Sequence, residues 1–96
     1  MTDLEITKLC AEAMGFQDIG FIGDMCWIKD GFASRKAFDP LHDDAQAMAL
    51  VKKFNLEISK TDIWCVDEAL GSGRSKDLNH AICECVANMQ RAKEAA

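Results

Sequence analysis

Between Asp39 and Leu56 the chain spells out a turn, a helix start, an amphipathic helix and a helix stop without interruption, and this stretch, DPLHDDAQAMALVKKFNL, most limits what the rest can become. Pro40 fixes its own φ and pushes Asp39 toward extended backbone. Asp43 can then cap a helix by accepting from the free amides of the first turn, with Gln46 placed three residues on to reach back. Ala47, Leu50, Val51 and Phe54 fall at i, i+3, i+4 and i+7 and form one apolar face, while Gln46, Ala49 and Lys53 point away from it. Lys52 and Lys53 suit the carbonyl end of the helix dipole, and Asn55 tolerates the left-handed conformation that returns Leu56 to the last turn. A helix over residues 43–54 is expected, with a sheet covering its apolar face.

Ahead of this stretch, Thr2 and Glu5 have capping-box spacing before Ile6, Leu9, Cys10 and Ala13, and Gly15 supplies a stop, so a first helix is expected over residues 3–14. From Phe16 to Gly23 no period holds, and the segment reads as an irregular lead-in that plugs one end of the core. Residues 25–29 and 32–38 flank Asp30-Gly31, a pair that tolerates the positive φ of a tight hairpin turn. The first arm is apolar on both faces and reads as central. The second carries Arg35 and Lys36 and reads as an edge.

Beyond the helix, residues 56–60 alternate as a half-buried strand, Thr61-Asp62 turns the chain, and residues 63–66 are again apolar on both faces. The Gly-rich segment DEALGSGRS, Asp67 to Ser75, reads as a polar loop. A last helix over residues 77–90 follows, capped by Ser75 or Asp77, with Leu78, Ala81, Ile82, Cys85, Val86 and Met89 as its apolar stripe and a polar, fraying end. Two strands that are apolar on both faces require cover on both faces. The expected fold is therefore a single-domain α+β protein, an α/β/α sandwich around one antiparallel four-stranded sheet, in the order α-β-β-α-β-β-α.

The order DPL-H-DDA-Q-A, with Leu50, Val51 and Lys53 next and a short strand after them, resembles the phage αβα sandwich domain family, small proteins of phages and prophages. The resemblance extends to a short first helix ending at Gly15, to the Trp-bearing strands around Trp27 and Trp64, and to a closing helix rich in Ala and Ile. It covers nearly the whole chain, although the family's run of aromatic residues in the first hairpin is thinner here and no tyrosine is present. These motifs are structural punctuation. They imply a fold and a phage or prophage setting, and say almost nothing about mechanism.

With 96 residues the chain is one domain, 1–96, with room for one modest core. Its 16 acidic and 11 basic side chains give a net charge of -5, a mean field that repels phosphate backbones and anionic lipid, so direct contact with nucleic acid or membrane is not expected. The acids are spread along the chain and read as a solubilising surface. Of the five cysteines, Cys10, Cys26, Cys65 and Cys85 fall where a thiol packs as a small hydrophobe. Without a signal sequence, or an apolar run near the roughly 20 residues that span a bilayer, a cytoplasmic protein with free thiols is expected.

Gly71-Ser72-Gly73-Arg74-Ser75 ahead of a helix invites a phosphate-loop reading, but the P-loop lysine is missing and Asp67 and Glu68 lie just upstream, so a connector fits better. Cys83 and Cys85 point about 200° apart on a helix and cannot clasp one ion, and Cys83 is expected to be partly exposed. His42 beside Asp43 and Asp44 sketches a base with its carboxylate, yet no nucleophile is placed near it. Trp27 and Trp64 are expected in the core. No catalytic, metal or cofactor set emerges. The expected function is non-enzymatic binding of a host or phage protein, with inhibition of a host defence system such as CRISPR as its setting, and Asp43, Asp44, Asp67, Glu68 and Arg74 are assigned to partner contact. The alternatives are a nucleotide or small-molecule binder or enzyme using the 67–75 loop, and a structural module that dimerises.

Overall fold

In a computed structural model of the chain, residues 1–16, 18–29 and 35–95 are described. Three helices alternate with two three-stranded meanders: α1 (Asp3–Ala13), β1 (Gly20–Ile22), β2 (Met25–Lys29), β3 (Arg35–Ala37), α2 (Asp44–Phe54), β4 (Glu57–Lys60), β5 (Trp64–Glu68), β6 (Gly71–Ser75) and α3 (Leu78–Ala95). The radius of gyration is 12.9 Å, close to the ~13 Å of a compact domain of this length. The chain is thus one mixed α+β domain, but its strands form two antiparallel sheets, β1-β2-β3 and β4-β5-β6, in place of one sheet of four.

Local chemistry built the helix ends as expected. Thr2 accepts from the Glu5 amide at 3.2 Å, and Asp43 accepts from the Gln46 amide at 3.1 Å. Asn55 sits at φ 52°, left-handed, and the Leu56 amide returns to the Val51 carbonyl at 3.1 Å. The Gln46 side chain reaches past its own cap: it accepts from the Asp39 amide and donates to the Ala37 carbonyl at 3.0 Å, pinning the end of β3 to the start of α2. Ala47 and Leu50 are buried, and Val51 and Phe54 half-buried, as the period requires.

The two extra strands are the main departure. Gly20–Ile22, expected as an irregular plug, pairs with β2 in the register Ile22 opposite Met25, so only Gly23 and Asp24 make the turn. Gly23 is at φ 61°, the first central position of a II′ hairpin, where glycine is required. Of the lead-in expected to plug the core, Phe16 and Ile19 pack against it, while Phe21 and Ile22 are exposed. β2 is central and β3 an edge, as expected, but Lys29 pairs with Arg35, three residues from the partner that a two-residue turn at Asp30-Gly31 would give it. Asp30, Gly31 and Phe32 themselves lie outside the described residues.

The segment from Asp67 to Ser75 is likewise no loop. Glu68 pairs with Gly71 across a two-residue turn of Ala69 and Leu70, and Gly71–Ser75 runs as β6 beside β5. Its glycines have a packing reason: a Cβ on Gly73 would lie 2.7 Å from the Cys85 amide nitrogen, and one on Gly71 would lie 2.8 Å from that of Met89. Asn88 donates to the Ser72 carbonyl at 2.7 Å and fastens the pair. α3 therefore lies almost backbone to backbone on β6, which only glycine permits.

The centre of the fold is α3, and the stretch around α2 is a satellite of it. Ala81, Ile82, Cys83, Cys85, Val86 and Ala87 are all buried, so this helix is apolar nearly all round, the signature of an interior helix. Cys85 faces β6, where its thiol lies 3.6 Å from the Gly71 carbonyl. Cys83 faces α1, where the Cys10 thiol donates to its carbonyl at 3.3 Å; it is fully buried, not partly exposed as the helical wheel suggested. The last helix also runs on to Ala95, past the expected stop at residue 90.

The contacts run from the second sheet through α3 to α1 and α2, and from α1 to β2 of the first sheet. α3 and α1 thus lie between the two sheets with α2 beside them, in place of the expected sandwich. Each sheet buries one face. In β2 only Cys26 and Ile28 are buried, in β5 only Val66, and β4 is exposed throughout, so Trp27 and Trp64 are half-buried and not interior. Lys60 covers the Trp64 ring at 4.8 Å from its centre.

Candidate interaction surface

The strand count sets helix polarity. Two strands between helices would return each helix antiparallel to the last, whereas three strands return it parallel. The contacts show the parallel case. Asn79, at the start of α3, donates to Asp44, at the start of α2, at 2.8 Å, while Ala13, Phe54 and Met89 meet at the far ends of α1, α2 and α3.

Three parallel helices bring three positive dipole ends together, and each end is matched by acid. Asp3 lies in the first turn of α1, Asp43 caps α2 with Asp44 next to it, and Asp77 accepts from the Asn79 amide at 3.0 Å to cap α3. His42 sits among them, its Nδ1 3.0 Å from both Asp39 carboxylate oxygens. Its pKa is raised from the ordinary 6.5 by the Asp39 hydrogen bond and charge, with Asp3 and Asp77 adding to the effect. A cleft of about 480 Å³ opens here between Asp3, Asp24, Asp39 and His42, with Leu4 and Met25 in its wall. A second, of about 360 Å³, lies between the starts of α2 and α3, lined by Asp44, Met48 and Asp77. Leu4, Met25 and Met48 are all exposed. One end of the molecule is thus anionic with apolar side chains between the carboxylates.

The five residues assigned to partner contact fall into two groups. Asp43 and Asp44 belong to this end. Asp67 and Arg74 share the second sheet, 3.7 Å apart on its uncovered face, and Glu68 is turned to its own hairpin, accepting from the Leu70 amide at 2.9 Å. Asp3, Asp24, Asp39 and Asp77 were not singled out from the sequence. The available signal was an acid at the start of every helix, and it becomes a surface only when the helices run parallel.

No three or more His, Cys, Asp or Glu side chains are grouped to hold a metal ion among the described residues. Cys83 and Cys85 face different neighbours, as their 200° separation requires. His80 on α3 has its Nδ1 3.6 Å from Glu84, and among the described residues that buried nitrogen has no hydrogen-bond partner. No described helix is long and apolar enough to cross a membrane. No family model, curated protein or solved structure matches the chain.

Proposed function

We propose that this protein is a non-enzymatic phage or prophage accessory module that works by protein–protein contact, using the acidic end where its three helices begin. The observation that supports this reading is the gathering of Asp3, Asp24, Asp39, Asp44 and Asp77 around two clefts walled by exposed Leu4, Met25 and Met48. Carboxylates would steer a basic protein surface into contact and the apolar side chains would hold it, the division of labour common at interfaces. Inhibition of a host defence system such as CRISPR is the setting suggested by the resemblance to phage αβα sandwich proteins. That resemblance rests on helix caps and Trp-bearing strands, and the two outer meanders depart from its single sheet.

The nucleotide-loop alternative loses its premise, since residues 67–75 form a hairpin packed on α3 and Asp77 fills the α3 cap. The dimerising module, which would pair through the edge strand of the first hairpin, is supported by the edge position of β3 beside β2, although Arg35 and Lys36 blunt that edge against pairing. Light scattering at rising concentration separates a dimer from a monomer. The binding reading is tested by passing host lysate over the immobilised protein at physiological salt. A basic host protein retained there and released by added salt supports it, and retention of nothing removes it.

A further inference from the structure

At the opposite end of the helices, Ala13, Phe54, Leu70, Met89 and Ala92 wall a cavity of about 350 Å³ with Lys93 at its rim. Its surface is almost entirely apolar, and its size lies within the range of about 300–1,000 Å³ typical of small-molecule sites. Leu70 is 65% exposed at the β5–β6 turn, a position where polar residues are the rule. Among the described residues Lys93 is the one charged side chain that lines it. Lys53 beside Phe54 reaches 3.5 Å from the Met14 carbonyl at the end of α1, and the nearby carboxylates of Glu68 and Glu94 are already engaged, by the Leu70 amide at 2.9 Å and the Gln90 side chain at 3.3 Å. An apolar body with a single anionic head complements this arrangement.

We propose that the cavity binds a medium-chain aliphatic monocarboxylate, its chain against Met89 and Phe54 and its head group on the Lys93 ammonium. The site is separate from the acidic end, and neither reading depends on the other.

Decanoate and decanol titrated into the intact protein, followed by the Met89 methyl resonance and by melting temperature, test the proposal. Decanoate is expected to shift the Met89 signal saturably below its aggregation concentration and to raise the melting point. Lys93→Gln is expected to weaken decanoate about three- to fivefold, the effect of an exposed ion pair, and to leave decanol unchanged. Ala13→Leu narrows the cavity and is expected to abolish both; Leu70→Asp, at an exposed turn, is a second variant that disfavours the anion without touching the core. Absence of a saturable shift overturns the proposal, and so does decanol binding as tightly as decanoate.

Discussion

A Cβ on Gly73 would overlap the carbonyl oxygen of Ala81, so β6 and the first turns of α3 meet with no room for a side chain at this position. Gly73→Ala is therefore expected to force strand and helix apart. The loss should reach or exceed the upper end of the roughly 1–3 kcal/mol typical of overpacking. Gly15→Asn, where nothing lies within 4 Å and only the φ of 79° is demanding, should cost far less. Urea denaturation of the two variants checks the order.

The thiols should react in a sequence set by burial. Cys10, Cys26, Cys83 and Cys85 are buried, and only Cys65, on the uncovered face of the second sheet, is partly open. Burial, with Glu68, Asp67 and Glu84 adding their charge, pushes the Cys85 thiol up to about 11, so it is protonated at neutral pH. A neutral thiol reagent should label one cysteine per chain rapidly and the other four only on unfolding. Rapid labelling of Cys10 or Cys83 would contradict the buried α1–α3 contact.

His42 makes stability depend on pH in one direction. Its folded pKa lies above the ordinary 6.5, so what it contributes is present in full below that value and fades as pH rises through the folded pKa. Because the side chain is exposed the effect is small, and nuclear magnetic resonance of the ring is the better readout. Asp39→Asn should return the His42 titration most of the way to 6.5, with Asp3 and Asp77 holding the remainder.

Gln46 ties β3 to α2 through two hydrogen bonds. Gln46→Ala leaves the Asp39 amide and Ala37 carbonyl without these partners and should cost about 1–3 kcal/mol. Asp43→Ala, which removes only the cap, should cost about 1 kcal/mol.

These contrasts explain what was legible in the sequence. Thr2, Asp43 and Asn55 act within a turn of their own position, so cap and stop chemistry reads directly from the chain. Gly71–Ser75 has poor strand propensity, and Gly20–Ile22, although Phe21 and Ile22 favour a strand, is only three residues long; both become strands through pairing with β5 and β2, which no local period encodes. Gly23-Asp24 suits the centre of a II′ turn, but the short run before it has no period to mark a strand. Missing one strand in each meander inverted the polarity of the helices, and with it the prospect of seeing Asp3, Asp44 and Asp77 as neighbours. The small residues Ala81, Cys83, Cys85 and Ala87 did carry a signal for close approach on two sides of α3, but a single apolar stripe hides it.

Charge reversal tests the proposed binding end most directly. Asp24→Lys with Asp44→Lys changes two exposed side chains of the acidic end, and Asp67→Lys alters the second sheet alone. With the partner retained from host lysate, the double variant should lose binding at physiological salt while Asp67→Lys keeps it. Equal retention by all three proteins would place the contact elsewhere and contradict the account.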